Sequence, residues 1–554
     1  MMMSSRFRTA ALAALLAMPF SASSFMLPSA QRARVGISLI SGSNNEGIVP
    51  SINSSARSSV NLDEIEVTTS LEGILSPPSS SYGLADVEEN IPTDLTIGAL
   101  EDETTSAWVE ENTVSLDDII RDLDGIPLSK EYFAEKMGIS TENIDSYTCP
   151  EQDVFRGFMS NACRVRLLPG GETAFYKSIV FEELDHAQEK LKNSPHKLAR
   201  DVQSYKVVAD FLSSKACEEV TKKAGVHIPK CYDAQARPDH SDPMKSKFSF
   251  LFADYAPWNG WYQQWLLQED EECKAALTTL AKIHAFFWNG STFWDDADAA
   301  AELEASIWES GSYVQPKAQG FHQYKEVTKE WETKRLKFEK ELSSFDYWDN
   351  LGERLQSVAK ECGYQAHPFA NEELTESYRK YRTFTHGDPK QANLFFRKKT
   401  SSDSKDVDDD EPELEVGVID FQWSGFGLAA TDVAHFLMAA IHADRLADGG
   451  EEAYLRYYYD ELQRYLVEFG ACRTEDDAVR HLSYDTFMEQ YDTAFLDKCR
   501  LVIAYTWARF TEPVEKDDEV GCARTMNKTS YNKSIPNVVW LASRCDEILK
   551  SRGV

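Results

Sequence analysis

Thr385-His386-Gly387-Asp388-Pro389-Lys390-Gln391-Ala392-Asn393, followed after 24 intervening residues by Val418-Ile419-Asp420-Phe421-Gln422, decides the fold of this chain. Asp388 sits in a loop between apolar segments, and Gly387 lets the backbone turn tightly there. Asn393 lies five residues further on. Val416, Val418 and Ile419 read as a strand that delivers Asp420 at its end.

Two acids and an amide in that order suit one kind of chemistry. Phosphoryl transfer asks a protein to hold phosphates, to neutralise their charge and to align the attacking hydroxyl. A carboxylate at Asp388 can accept a hydrogen bond from that hydroxyl. Asn393 offers a neutral oxygen and Asp420 a charged one, which suits Mg²⁺, a hard ion that takes only one or two ligands from protein. His386 is expected to order the loop through hydrogen bonds. Lys390 either offsets charge on the moving phosphoryl group or is an exposed surface lysine. His-Gly-Asp alone is a weak signal; joined to the x4-Asn spacing and the strand ending Ile-Asp-Phe, it is a strong one.

Upstream, Arg164-Val165-Arg166-Leu167-Leu168, the turn Pro169-Gly170-Gly171 and Thr173 to Val180 read as a hairpin. Lys177 lies on the otherwise apolar second strand and invites an anionic partner such as the ATP phosphates. Gly157 and Ser160, entering the hairpin, are candidates to cover those phosphates, although this is not a Walker loop. A helix is expected over about Leu198 to Ser213, with Val202, Tyr205, Val208, Phe211 and Leu212 on one face. Another strand is expected over Phe248–Phe252. From about Gln263 onward the pattern is mainly helical.

The order Gly157-x-x-Ser160, Lys177, the strand Phe250 to Tyr255, the helix ending Ile283-His284-Ala285-Phe286-Phe287-Trp288, and then the two opening motifs resembles the choline-kinase-like and aminoglycoside-phosphotransferase-like small-molecule kinases, in the branch that includes ecdysteroid kinases. The resemblance spans roughly Ile126 to Leu549. It implies an α+β, bilobal protein-kinase-like fold, with a small α/β N-lobe carrying an antiparallel sheet and a larger helical C-lobe. It also implies ATP in the cleft, Asp388 as the catalytic aspartate, Asn393 and Asp420 holding Mg²⁺, and hinge groups near Phe252, Ala253 and Asp254 meeting the adenine. Thr431-Asp432-Val433-Ala434 resembles the family's Asp-Leu-Ala segment, and Asp432 is expected to cap the helix that it starts. Many relatives carry a helix glutamate in a Ser-Tyr-x-x-Glu pattern. Here Ser204-Tyr205 leads to Val208 instead, and Asp201 is the substitute expected for pairing with Lys177. A second departure, Gly311-Ser312-Tyr313-Val314, lies in a region that often borders the acceptor site. Trp423, Phe426 and Tyr313 are candidate acceptor-pocket aromatics or, alternatively, core residues.

The expected activity is ATP- and Mg²⁺-dependent transfer to a hydroxyl of a small molecule. The alternative is a non-catalytic nucleotide-binding module of the same fold. A protein kinase is disfavoured, because no Ala-Pro-Glu segment follows Asp420.

The chain has 554 residues, a hydrophobic fraction of 42% and a formal net charge of −33. That charge disfavours nucleic acid and anionic lipid as partners. Ten cysteines are scattered with no Cys-x-x-Cys pair, as in a reducing compartment. Residues 1–24 have the layout of a signal peptide, with Arg6 and Arg8 ahead of an apolar run too short to span a bilayer. Residues 25–61 are Ser- and Arg-rich with Glu46 the sole acid, as in a transit peptide. Together, with Phe25 after the junction, they resemble the bipartite presequence of algae with secondary plastids, and plastid targeting is the expectation; secretion and a cytosolic tail remain open. Residues 62–114 read as a disordered acidic linker, 115–255 as the N-lobe with N-terminal helices and 256–554 as the C-lobe. A first helix is expected from Ser115 through Leu123 and a second from Ser129 to Met137. Asp403 to Glu411 reads as a solvated hairpin tip. No membrane span is expected, and the sequence does not specify oligomeric state.

Overall fold

In the computed structural model, the described residues are 120–554, without 151–153, 157–159, 194, 265, 320, 400–413, 505 and 510–533. The first three expected segments and Ser115 to Ile119 lie outside them. So does the acidic stretch 400–413, although the strands on either side of it pair as expected.

The hairpin forms where the alternation placed it. β1 (Ile144–Thr148) and β2 (Val154–Arg156) both pair with β3 (Asn161–Pro169), which pairs with β4 (Thr173–Val180). Gly171 supplies the left-handed turn residue at φ 78°, and its N–H reaches the Leu167 carbonyl at 2.8 Å. Beyond β4 come β5 (Cys231–Arg237) and β6 (Lys247–Ala253), giving a six-stranded antiparallel sheet of order β1-β3-β4-β6-β5, with β2 also on β3.

Each face of this sheet buries its own apolar set. One packs on α1 (Lys130–Met137) through Phe133, Val165, Leu167, Tyr176 and Leu251. The second expected helix forms, with Ser129 as its N-cap, accepting from the Tyr132 N–H at 3.3 Å. The other face packs on α2 (Asp185–Asn193) and α3 (Pro195–Leu212) through Ile179, Val202, Tyr205, Val208 and Phe250. Lys177 shares parity with Phe175 and Ile179, so it points to the α3 side.

Residues 120–123 do not form the expected helix. Arg121 bridges Pro127, Gly125 turns at φ 82°, and the Asp122 carboxylate accepts the N–H groups of Asp124 and Ile126, each at 2.9 Å. An aspartate satisfying nearby backbone donors favours a turn over a helix. Ile120 and Leu123 are buried all the same.

The rest is mainly helical. The principal helices are α4 (Asp270–Phe286), α5 (Leu351–Ala366), α6 (Ala429–Ala440), α7 (Gly450–Glu468), α8 (Tyr484–Ala504) and α9 (Ile535–Ser551). Every residue of α6 is buried, which puts this helix in the middle of the large core. Two short ribbons sit at the lobe boundary: β7 (Thr383–Thr385) with β10 (Gly425–Gly427), and β8 (Leu394–Lys398) with β9 (Leu414–Val418). Phe211 of α3 ties the lobes together beside them, its ring 5.0 Å from Phe384 and 4.9 Å from Phe421. Among the described residues no helix is long and apolar enough to cross a membrane.

Candidate active site

The loop between β7 and β8 is held by a carboxylate beneath it. Asp432, in the first turn of α6, accepts the His386 N–H at 2.6 Å on Oδ2 and the Gly387 N–H at 3.0 Å on Oδ1. His284 of α4 approaches Oδ2 at 3.3 Å and is itself fixed by the Tyr458 hydroxyl at 2.6 Å. Burial pushes the Asp432 carboxyl up, but the His284 contact and the backbone donors outweigh it and hold it below the usual range. This corrects the expectation of a helix cap: Leu428 takes the N-cap position, with no side-chain cap, and Asp432 braces the loop between β7 and β8. Gly387 is required where it stands. Its φ is 81°, and a Cβ there would lie 2.2 Å from the Trp423 carbonyl oxygen.

His386 accepts the Asp388 N–H on Nδ1 at 3.2 Å and meets the Ile419 carbonyl through Nε2 at 2.9 Å. That pattern assigns the proton to Nε2 and joins the loop to the residue preceding Asp420. Asp388 is 2% exposed, and Oδ2 receives Lys390 at 2.7 Å and, less closely, Asn393 at 3.4 Å. Lys390, at 1% exposure, is therefore no surface lysine. Burial pushes the Asp388 carboxyl up, with Lys390 opposing. Asp388 Oδ1 is buried and makes no hydrogen bond among the described residues.

Asp420 follows β9 at φ 68°, a left-handed conformation that a non-glycine residue adopts at a cost. Its Oδ1 is likewise buried with no hydrogen bond among the described residues. Asn393 donates Nδ2 to the Asp388 carbonyl at 2.8 Å, which leaves its amide oxygen as the atom for a ligand. Orphaned hard oxygens on Asp388 and Asp420, with Asn393 alongside, fit a divalent cation that draws its remaining ligands from water and phosphate.

Lys177 is 3% exposed and has no carboxylate within 4.0 Å among the described residues. The expected substitute, Asp201, is elsewhere engaged: it pairs with Lys190 of α2 at 2.5 Å. Lys177 instead lies over the ring of Tyr205, its Nζ 5.3 Å from the centroid. Burial pushes the ammonium down to about 8, opposed by the charge of Asp420. A buried cation on an aromatic face keeps part of the stabilisation that an ion pair would give.

Of these groups, Lys177 and Asp420 border a cleft of about 730 Å³, counting its open mouth. Phe175, Lys177, Phe250 and Phe252 line it from the sheet, Val208 and Leu212 from α3, and Phe395, Ile419, Asp420 and Phe421 from below. Ala253, Asp254 and Tyr255 form its back edge. The Ala253 N–H is already donated to the Lys230 carbonyl at 2.8 Å. The Asp254 carboxylate is gripped by Arg164 at 2.5 and 3.2 Å, a buried two-bond pair. Ser160 is buried at the start of β3, and Gly157 lies outside the described residues.

The three candidate aromatics separate. Tyr313 and Trp423 are 6.0 Å apart in a small cluster with Val314 and Leu501. Trp308 stacks on Trp423 at 5.8 Å, and Tyr313 lies 5.9 Å from the ring of His435. Phe426 belongs to the main core, against Trp294 at 6.1 Å and under the Arg382 guanidinium.

The family model described as ecdysteroid kinase-like matches residues 158–471, more than half of the chain. No curated protein matches it. Among solved structures, an ethanolamine kinase of Plasmodium vivax is similar at 12% identity and a TM-score of 0.33, with 82% of this chain and 98% of that one covered. An aminoglycoside phosphotransferase of Alicyclobacillus acidocaldarius is similar at 12% identity and a TM-score of 0.27, with 71% and 92% covered.

Proposed function

The chain belongs to the ecdysteroid kinase-like family, and on that premise we propose that it transfers the γ-phosphoryl group of ATP to a hydroxyl of a small molecule, with Mg²⁺ as cofactor. The observation that carries this reading is the pair of buried carboxylate oxygens with no hydrogen bond among the described residues, Asp388 Oδ1 and Asp420 Oδ1, the second of which belongs to a residue lining the same cleft as Lys177.

Such oxygens are costly to bury unless a proton, a cation or a donor meets them. Asp388 Oδ1 is the atom that accepts the acceptor's hydroxyl proton as the new O–P bond forms and the bond to the departing ADP breaks. Lys390, fixed on the other oxygen of Asp388, leaves that acceptor site open and adds positive charge where the phosphoryl group passes. Asn393 and Asp420 would hold Mg²⁺, which when bound offsets the charge on the phosphates. Lys177 meets the phosphates from the sheet side. The apolar walls at Phe252, Val208 and Phe395 suit a flat base, with Asp254 and Tyr255 at its edge.

Mg²⁺-dependent ADP release from ATP by the full chain, with water or added alcohols as acceptor, tests this. A protein that binds Mg-ATP yet shows the same turnover after Asp388→Ala is a binding module instead. We also propose a plastid location for residues 1–61 to direct; a fusion of those residues to a fluorescent protein checks it, and a diffuse cytosolic signal contradicts it.

A further inference from the structure

Behind Asp388 lie two buried basic groups that the proposed transfer does not use. His435 of α6 is fully buried, and its Nε2 is 3.3 Å from Asp388 Oδ1. Lys498 of α8, 2% exposed, has its Nζ 3.1 Å from His435 Nδ1. The Tyr313 ring packs against both, 5.9 Å from the imidazole and 5.8 Å from the ammonium.

We infer that His435, oriented by Lys498, is a positioning residue for Asp388, fixing the carboxylate so that Oδ1 meets the acceptor hydroxyl. This rests on the phosphotransferase reading above. An ammonium only donates, so Nδ1 accepts from Lys498 and the imidazole proton sits on Nε2, facing Oδ1. Oδ2 is already held by Lys390 and Asn393. His435 stands on the opposite side at 3.3 Å, an approach short of a hydrogen bond that leaves Oδ1 open to the acceptor, and it limits the rotation by which the carboxylate would otherwise swing. Lys498 has no carboxylate within 4.0 Å among the described residues, and packing alone would favour an apolar side chain at such a site. Burial pushes His435 well below its ordinary value, helped by Lys498, Lys390 and His386 and opposed by the Gly387 backbone. Burial also pushes Lys498 down to about 8, against Asp497, Asp432 and Asp388, with Arg500 assisting.

The test is steady-state ADP release by the full chain from Mg-ATP, with water as acceptor, from about pH 6 to about pH 10. His435→Leu and Lys498→Met each lower kcat by about 10- to 100-fold with KM for ATP nearly unchanged, the scale of a misplaced reacting group. His435→Gln, which keeps a donor, recovers most of the loss. The double variant is no slower than His435→Leu alone, because the two act as one device. At saturating Mg-ATP, where the bound phosphates keep Lys177 charged, kcat of the unaltered protein falls as pH rises through about 8, and Lys498→Met lacks that limb in kcat. Wild-type kcat and pH profile in His435→Leu overturn the inference. So does an equal loss in His435→Gln with a lowered melting temperature, which marks a structural role. If the unaltered protein binds Mg-ATP but releases no ADP, the phosphotransferase reading falls and this inference falls with it.

Discussion

Replacing Tyr205 by leucine removes the aromatic face on which Lys177 rests. The ammonium is buried, lies 5.3 Å from the ring centroid and feels Asp420 as its opposing charge. A desolvated cation–π contact contributes about 2 kcal/mol. Without the ring, the ammonium is drawn toward Asp420 and must be pulled back to meet the phosphates. If that whole amount is lost from binding, Mg-ATP affinity falls about 30-fold. Tyr205→Phe keeps the face and should stay within about threefold. Leucine also forfeits ring contacts to Phe181 at 6.1 Å and Phe248 at 5.6 Å, so a stability cost of about 2 to 3 kcal/mol accompanies it. Calorimetric titration with Mg-ATP, below the melting temperature of each variant, separates affinity from folding. Wild-type affinity in Tyr205→Leu would refute the reasoning. An equal loss in Tyr205→Phe would shift the role to the hydroxyl.

Other outcomes follow from the same geometry. Asp432→Ala strips acceptors from two backbone N–H groups, and thermal unfolding should show a loss of about 2 to 4 kcal/mol; unchanged stability would contradict the brace. Arg164→Gln leaves Asp254 buried beside the cleft without its cation, at a cost of about 3 to 5 kcal/mol, measurable by urea unfolding, whereas the double variant Arg164→Gln/Asp254→Asn should recover much of it. Gly387→Ala drives a Cβ into the Trp423 carbonyl, and ADP release should fall below detection while Mg-ATP still binds. Affinity for ATP without added metal should weaken as pH rises through about 8, because the free protein loses the Lys177 proton there; Lys177→Met should show no such slope.

The loop chemistry was legible because it is local. The spacing from Asp388 to Asn393 and the strand into Asp420 both lie within short stretches, and so does the hairpin that carries Lys177. The hidden partners come from remote segments. Asp432 looks like a cap because it starts a helix, and nothing in its own neighbourhood says that the N–H groups of His386 and Gly387 converge on it. Asp201, two turns before Val208 on the same face, is the acid that helical spacing offers Lys177, but Lys190, from a short polar helix, takes it first. Tyr205 left a usable signal: it lies one turn before Val208 on the face that addresses the lysine strand, and a buried lysine without an acid calls for an aromatic face. His435 sits three residues past Asp432, so facing the same loop follows from helical spacing; Lys498, more than sixty residues on, has no such clue. At residues 120–123 an apolar helical spacing lost to an aspartate turn.

The central claim is that Asp388 works on a hydroxyl in an ATP-dependent transfer. Its most direct measurement is ADP release by Asp388→Asn against the unaltered chain, each with and without Mg²⁺. The substitution keeps the volume and one acceptor oxygen but removes the base, so turnover should fall by about 100- to 10,000-fold with Mg-ATP affinity within about twofold, and the unaltered chain should turn over only with the metal. Equal turnover by the two proteins, or turnover indifferent to Mg²⁺, would contradict the account.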